Sequence, residues 1–201
     1  MTTMVKDGVF RTPTGLKVKA QSYASIELAS NTLRPNLPHM RGEPFKLDCV
    51  TIFEKTLPMA GYNYRTVEVE DMDECAAFTI PEEKVVVLRD DVYEKLHAGQ
   101  AFGRSTVIHE LSHLALQHHV TLHRGAQIGQ HKFYEDSEWQ AKALTAALMM
   151  PLDAAMSAKS PSHLAELCGT SVESATYRIK TLIKLKLLTP SHSLWEYGSN
   201  G

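Results

Sequence analysis

The sequence predicts an α+β fold: helix-rich, with a small three-stranded sheet and a C-terminal helix-turn-helix-like helical module. Three observations predict it. Apolar residues recur at helical spacing through most of the chain. Three short runs rich in β-branched and aromatic residues interrupt that period between positions 64 and 88. Beyond Pro151 the helical period returns in short segments punctuated by glycine and serine. With 201 residues, 43% hydrophobic and 22% charged, the chain has room for one substantial core and a small appended module, since domains run to about 100–150 residues.

Residues 1–16, with Thr12-Pro13-Thr14-Gly15, read as a loose arm. Ala20, Tyr23, Ile26, Ala29 and Leu33 then share a helical face, which predicts a helix over Lys17 to Leu33. Pro35, Pro38, Gly42 and Pro44 mark a loop, and Phe45 to Leu57 forms a second helix stopped by Pro58 and Gly61. The three strands are YRTVEVE (64–70), AAFTI (76–80) and KVVVL (84–88), separated by turns rich in Asp, Glu and Pro. A short helix from Asp90 to about Gly99, a longer one from about Gly103 to Val120, a polar loop and a helix over Ser137 to Met150 follow, the last stopped by Pro151. Pro161 to Leu188 carries two or three short helices, and Ser191 to Gly201 reads as a strand or a fraying terminus. The expected division is 1–151 and 152–201.

Lysine plus arginine (21) against aspartate plus glutamate (23) leaves a net charge of −2. No global positive field exists to hold nucleic acid or anionic lipid, so any such contact must be local. No stretch approaches the roughly 18 apolar residues a membrane span needs, and the N-terminus lacks the apolar core of a secretory signal. Cys49, Cys75 and Cys168 are widely spaced and form no C-x-x-C pair, which fits reduced thiols in a cytoplasm.

Ten histidines are present, five of them between His109 and His123. His109-Glu110-Leu111-Ser112-His113 is an H-E-x-x-H motif. On a helix, positions i and i+4 are neighbours on one face, so the two imidazoles can grip one ion. Neutral imidazole suits Zn²⁺, and Glu110 can reach a water on that ion and take its proton as the water attacks a carbonyl. Three protein ligands plus water make a catalytic zinc site.

Two candidates compete for the third ligand. His119 stands where H-E-x-x-H-x-x-G-x-x-H enzymes place theirs, but position 116 is Leu rather than Gly, and Leu116 is expected to continue the helix and carry His119 away. Glu138, opening the next helix, completes a His₂Glu set, with small Ala141 letting the two helices approach. Glu135 and Asp136 are weaker alternatives in the preceding loop.

GRSTVIHELSHLALQHH (103–119) followed by EWQAKALTAALMMP (138–151) resembles the ImmA/IrrE family of zinc-dependent metallopeptidases, whose pattern is an HELGH-type helix and then E-x-x-A-x-x-F-A-x-x-L-L-M-P. The resemblance covers chiefly residues 76 to 188. It implies His109, His113 and Glu138 as metal ligands, Glu110 as general base, and one Zn²⁺ per chain, with Mn²⁺ or Fe²⁺ able to use the same donors. It further implies a cytoplasmic peptidase that cuts a helix-turn-helix repressor and so derepresses a mobile-element or stress operon. Ser112 stands where the family often has Gly, Lys142 where it favours Asn, and Leu144-Thr145 where it favours Phe-Ala.

Other features carry weaker expectations. If KVVVL is an edge strand near the metal helix, an extended substrate could pair with it; the alternative is a core strand. His118, His119, His123 and His131 could stabilise an oxyanion or contact substrate, or be solvated side chains. Leu164 to Leu188 is laid out as a helix-turn-helix, with Gly169 at the turn and Ser171 as cap. Glu173 and Ser174 would then face base edges, with Arg178, Lys180, Lys184 and Lys186 near phosphates. A glutamate at the tip and so few basic residues weigh against direct DNA binding. The rival readings are a non-catalytic regulator that binds a repressor or DNA through residues 152–201 and keeps a structural metal, and a hydrolase of small amides.

Overall fold

The computed structural model describes residues 4–6, 9–11, 15–72, 75–80, 83–118 and 131–189. The architecture is α+β: helices packed around a small mixed sheet, with one continuous apolar core from Ile26 to Leu188.

Within the N-terminal arm, β1 (Met4–Lys6) and β2 (Val9–Arg11) form an antiparallel hairpin, with Val5 opposite Phe10. Residues 15–21 then form an extended strap along the segment before the second metal-site helix. Val18 N–H donates to Glu135 O (2.8 Å), Gln21 N–H to Tyr134 O (2.9 Å), and Ser137 N–H to Leu16 O (3.0 Å). Those long-range bonds hold Lys17–Gln21 extended, so helix α1 begins only at Tyr23 (Tyr23–Leu33). Ser22 caps it in a reciprocal box with Ser25.

The second helix also starts later than its apolar pattern suggests. Phe45 lies in a turn and Leu47 in an antiparallel bridge to His39, with Asp48 N–H bonded to Pro38 O, and Asp48 caps α2 (Cys49–Thr51). That helix passes through a π-helical stretch, Ile52–Thr56, into α3 (Leu57–Met59). Phe53 is fully buried there, against Tyr64 and Tyr93.

The three expected strands are present: β3 (Asn63–Val67), β4 (Ala77–Ile80) and β5 (Val85–Arg89), with α4 (Val69–Met72) between the first two. Their order is β3-β5-β4. β3 is parallel to β5 (Asn63 opposite Val85) and β4 is antiparallel to it (Ala77 opposite Leu88). The edge placement considered for KVVVL is therefore incorrect: β5 is the central strand, and Val86, Val87 and Leu88 are fully buried. An uninterrupted apolar run is what a strand covered on both faces requires. The edge beside the metal-site helix is β4.

α5 (Asp90–His97) leads through Gly99 into α6 (Ala101–Ala115), whose Val107 and Ile108 are fully buried. α6 stops five residues short of the expected end. Leu116 and Gln117 form a turn, and Gln117 has φ 54°, so the chain reverses here without the glycine that left-handed backbone favours.

α7 (Ser137–Met149) is capped by Asp136, which accepts from Trp139 N–H (2.8 Å). α8 (Leu152–Ser157), α9 (Pro161–Cys168) and α10 (Val172–Lys184) follow. Gly169 (φ 65°) ends α9 in the left-handed cap that favours glycine, and Ser171 caps α10. Two buried arginines tie this segment to the remainder. Arg104 of α6 donates to Gly169 O (2.9 Å), Leu47 O and Cys168 O. Arg178 of α10 pairs with Glu27 of α1 (2.9 Å) and donates to Met150 O (2.9 Å). At 2% exposure Arg178 is not available to a phosphate, so the expectation that placed it there is corrected. No helix among the described residues is long and apolar enough to cross a membrane.

Candidate metal centre

α6 and α7 supply the site. His109 and His113, one turn apart on α6, bring their Nε2 atoms to 3.2 Å. Glu138, in the first turn of α7, places Oε1 3.1 Å from His113 Nε2 and Oε2 3.3 Å from His109 Nε2. Ala141, fully buried, adds little bulk where these helices meet.

Three donors this close fit a cation. The two imidazole nitrogens lie 3.2 Å apart, close to the edge of about 3.3 Å around a tetrahedral ion with bonds of about 2.0–2.1 Å, and each faces one Glu138 oxygen at 3.1–3.3 Å. Two imidazoles and one carboxylate form a donor set suited to Zn²⁺, and His109, His113 and Glu138 are the metal-capable cluster found among the described residues. The two imidazoles hold the Glu138 carboxyl well below the usual carboxylate range, against the opposing effect of burial. The donor side chains remain 20–32% exposed, so the site opens to solvent on one side.

Glu110 is buried (7% exposed), and its Oε2 accepts from the Thr79 hydroxyl of β4 at 2.8 Å. Both line the cleft that contains His109, His113 and Glu138. The cleft measures about 1880 Å³ and is walled by β4 on one side and by the first turns of α10 on another, with Phe78, Phe102, Val172 and Tyr177 as apolar surfaces.

The remaining candidates separate. Asp136 stays out of the donor cluster: it caps α7, accepts from Gly15 N–H (2.8 Å), and faces His131 Nε2 (3.0 Å). Glu135 accepts from Lys132 N–H in a 3₁₀ turn, Phe133–Glu135. His119 and His123 lie outside the described residues, and the reason given against His119, a continuing helix at Leu116, does not hold. His118 and His131 are buried rather than solvated, at 4% and 6% exposure. His118 Nδ1 sits 2.8 Å from His113 Nδ1 and its Nε2 3.1 Å from Gln140 Oε1. Burial pushes the His118 imidazole down to about 4 despite the Gln140 contact.

The sequence reading missed Thr79, Gln140 and Gly15. Gly15 packs so tightly that a Cβ there would lie 2.7 Å from Glu138 N and 2.9 Å from Glu138 Cγ. None has a local signal, because each reaches the site across 22 or more residues of chain.

Two histidines one helical turn apart, a carboxylate from the next helix and a buried glutamate beside them define a metallopeptidase-type site. The family model Peptidase M78, the IrrE N-terminal-like domain, matches residues 74–180. The chain belongs to this family, the one ImmA/IrrE peptidases represent. The match includes β4, β5 and both helices of the metal centre, and it continues into α10. A search of curated proteins gave no match.

Proposed function

We propose that the chain is a zinc-dependent endopeptidase of the cytoplasm. Its substrate is a helix-turn-helix repressor, whose cleavage derepresses a mobile-element or stress operon. The observation that carries the catalytic part is the convergence of His109, His113 and Glu138 at a solvent-open point beside a buried Glu110. The repressor and the operon rest on the family resemblance.

His109, His113 and Glu138 would hold the ion, and a bound Zn²⁺ supplies Lewis acidity toward a water and a carbonyl oxygen. Glu110 takes the proton of the attacking water as its oxygen adds to the carbonyl carbon. As the C–N bond breaks, Glu110 gives that proton to the leaving amine nitrogen. Thr79 holds the carboxylate in place for both transfers. β4 pairs with β5 on one side only among the described residues, and its Phe78 and Thr79 line the cleft, so an extended peptide can add to its free edge.

A cleft of about 1880 Å³ exceeds the roughly 300–1,000 Å³ of small-molecule pockets, which favours a polypeptide over a small amide. A structural zinc has four protein ligands, and the three donors found among the described residues suit a catalytic ion. Glu173 and Ser174, candidates for reading DNA bases, line the cleft, which favours contact with substrate.

The test is co-expression with the helix-turn-helix regulator encoded beside the gene. A new regulator fragment is expected with the native protein and none with Glu110→Gln, at equal zinc content. An intact regulator in both cases, with zinc-loaded native protein, would overturn the proposal.

A further inference from the structure

We propose that Lys142 is a specificity-determining residue, an ammonium that pairs with a carboxylate of the substrate within about two residues of the scissile bond. The proposal rests on the peptidase reading above and adds to it the chemistry of the preferred peptide.

Lys142 follows Glu138 by four positions on α7, so both stand on one helical face, about 6 Å apart along the axis. That face is a wall of the cleft, which Glu138, Lys142, Thr145, Ala146 and Met149 all line. An extended peptide advances about 3.3 Å per residue. With its scissile carbonyl at the metal donors, the side chains it brings to Lys142 are those one or two positions away. The flexible four-carbon stem of lysine lets the charge follow either one.

Lys142 is exposed, and among the described residues it makes no hydrogen bond or ion pair. The nearby carboxylates of the cleft are committed elsewhere. Glu138 faces the two imidazoles at 3.1–3.3 Å, Glu110 accepts from Thr79, and Asp136 is buried as the cap of α7. Glu173 stands on α10 and forms no ion pair with Lys142. The cleft residues beside Lys142 on its own helix, Ala143 and Ala146, bring no charge. A cation facing a cleft without a counter-ion favours ligands that carry one and disfavours cationic side chains in the same place. The family pattern favours Asn at this position, so the charge bears on which peptide this chain prefers rather than on the shared chemistry.

The experiment uses the zinc-loaded full chain and a library of dodecapeptides, half with free and half with amidated C-termini, with cut sites read by mass spectrometry. Asp or Glu should be enriched about fivefold over Asn or Gln within two positions of the cut. Enrichment in the amidated half identifies a side-chain carboxylate; enrichment confined to the free half, near the chain end, identifies the terminal one. Lys142→Asn should abolish the preference, Lys142→Glu should turn it toward Lys and Arg, and salt at about 0.5 M should weaken it in the native chain. Zinc content reports whether α7 is intact in each variant; should Lys142→Glu lose zinc, Lys142→Asn and Lys142→Met carry the comparison. Equal cutting of acidic and neutral peptides by the native chain overturns the proposal. So does a preference that survives Lys142→Asn, or one lost instead in Lys180→Asn, the other lysine lining the cleft. A library left uncut would sink the peptidase reading, and retention of the same peptides on immobilised Glu110→Gln protein would still decide the role of Lys142. Acidic peptides held about fivefold better than by the Glu110→Gln, Lys142→Asn double variant support it, and equal retention overturns it.

Discussion

Thr79 on β4 donates its hydroxyl to Glu110 on α6 at 2.8 Å, joining an edge strand of the described sheet to the acid between the two histidines. The bond fixes where the carboxylate points without touching any metal donor. Thr79→Val keeps the shape and removes the donor, so kcat should fall about tenfold, equivalent to about 1.4 kcal/mol of transition-state positioning, with zinc content unchanged. Thr79→Ser should restore most of the rate. A Val variant with native kcat would show that Glu110 is held by other contacts.

Gly15 leaves no room for a side chain against Glu138. Its hypothetical Cβ meets backbone as well as the ligand's own Cγ, so relief requires moving α7 or the carboxylate. Gly15→Ala should weaken zinc binding about tenfold or more in a chelator competition. Lys19→Ala, in the same strap but with an exposed side chain, should leave it unchanged. Equal affinities for both variants would show that the strap yields instead.

Ser112 and Thr145, two of the departures from the family pattern, touch each other. Ser112 Oγ, in a fully buried residue, lies 3.1 Å from Thr145 Oγ1 and donates to Ile108 O at 2.7 Å. Where the family often has Gly opposite Ala, this chain has a hydroxyl pair across the helix contact. Ser112→Ala and Thr145→Val should each cost about 1 kcal/mol in urea unfolding, and the double variant less than their sum by about 0.5 kcal/mol or more. Strict additivity would mean the contact contributes nothing.

Asp91 is held by Arg89 Nε and Lys95 Nζ, each at 2.6 Å, and these bonds lower its carboxyl to about 2. A depressed folded-state value means that the stabilisation is complete above the ordinary carboxylate value near 4. It is lost as pH falls from there toward 2. The gap in urea midpoint between native protein and Asp91→Asn should therefore be constant from pH 8 to pH 5 and close between pH 4 and pH 2. A gap unchanged at pH 2.5 would remove the ion pairs as its source.

The helices were legible because their signals are local. His109 and His113 are one turn apart by arithmetic, Pro151 and Gly169 stop helices where the chain shows them, and Ser171 caps the next. Even β5 carried a usable signal, since an unbroken Val-Val-Val-Leu run suits a strand buried on both faces. The starts of α1 and α2 were misplaced for the opposite reason: bonds from Val18, Gln21 and Asp48 to distant carbonyls outweigh helical spacing.

By itself the sequence determined the two histidines one turn apart, the glutamate between them and the helix that brings Glu138, because each depends on spacing along one helix or on helix order. Only the tertiary structure decided that Arg178 is buried against Glu27, that β5 rather than β4 is the central strand among the described residues, that Thr79 meets Glu110 and Gln140 meets His118 beside His113, and that Gly15 packs against Glu138. Those outcomes depend on which surfaces meet when the core closes, and hydrogen-bond partners 22 to 151 residues apart leave no periodicity for a reader of the chain to find.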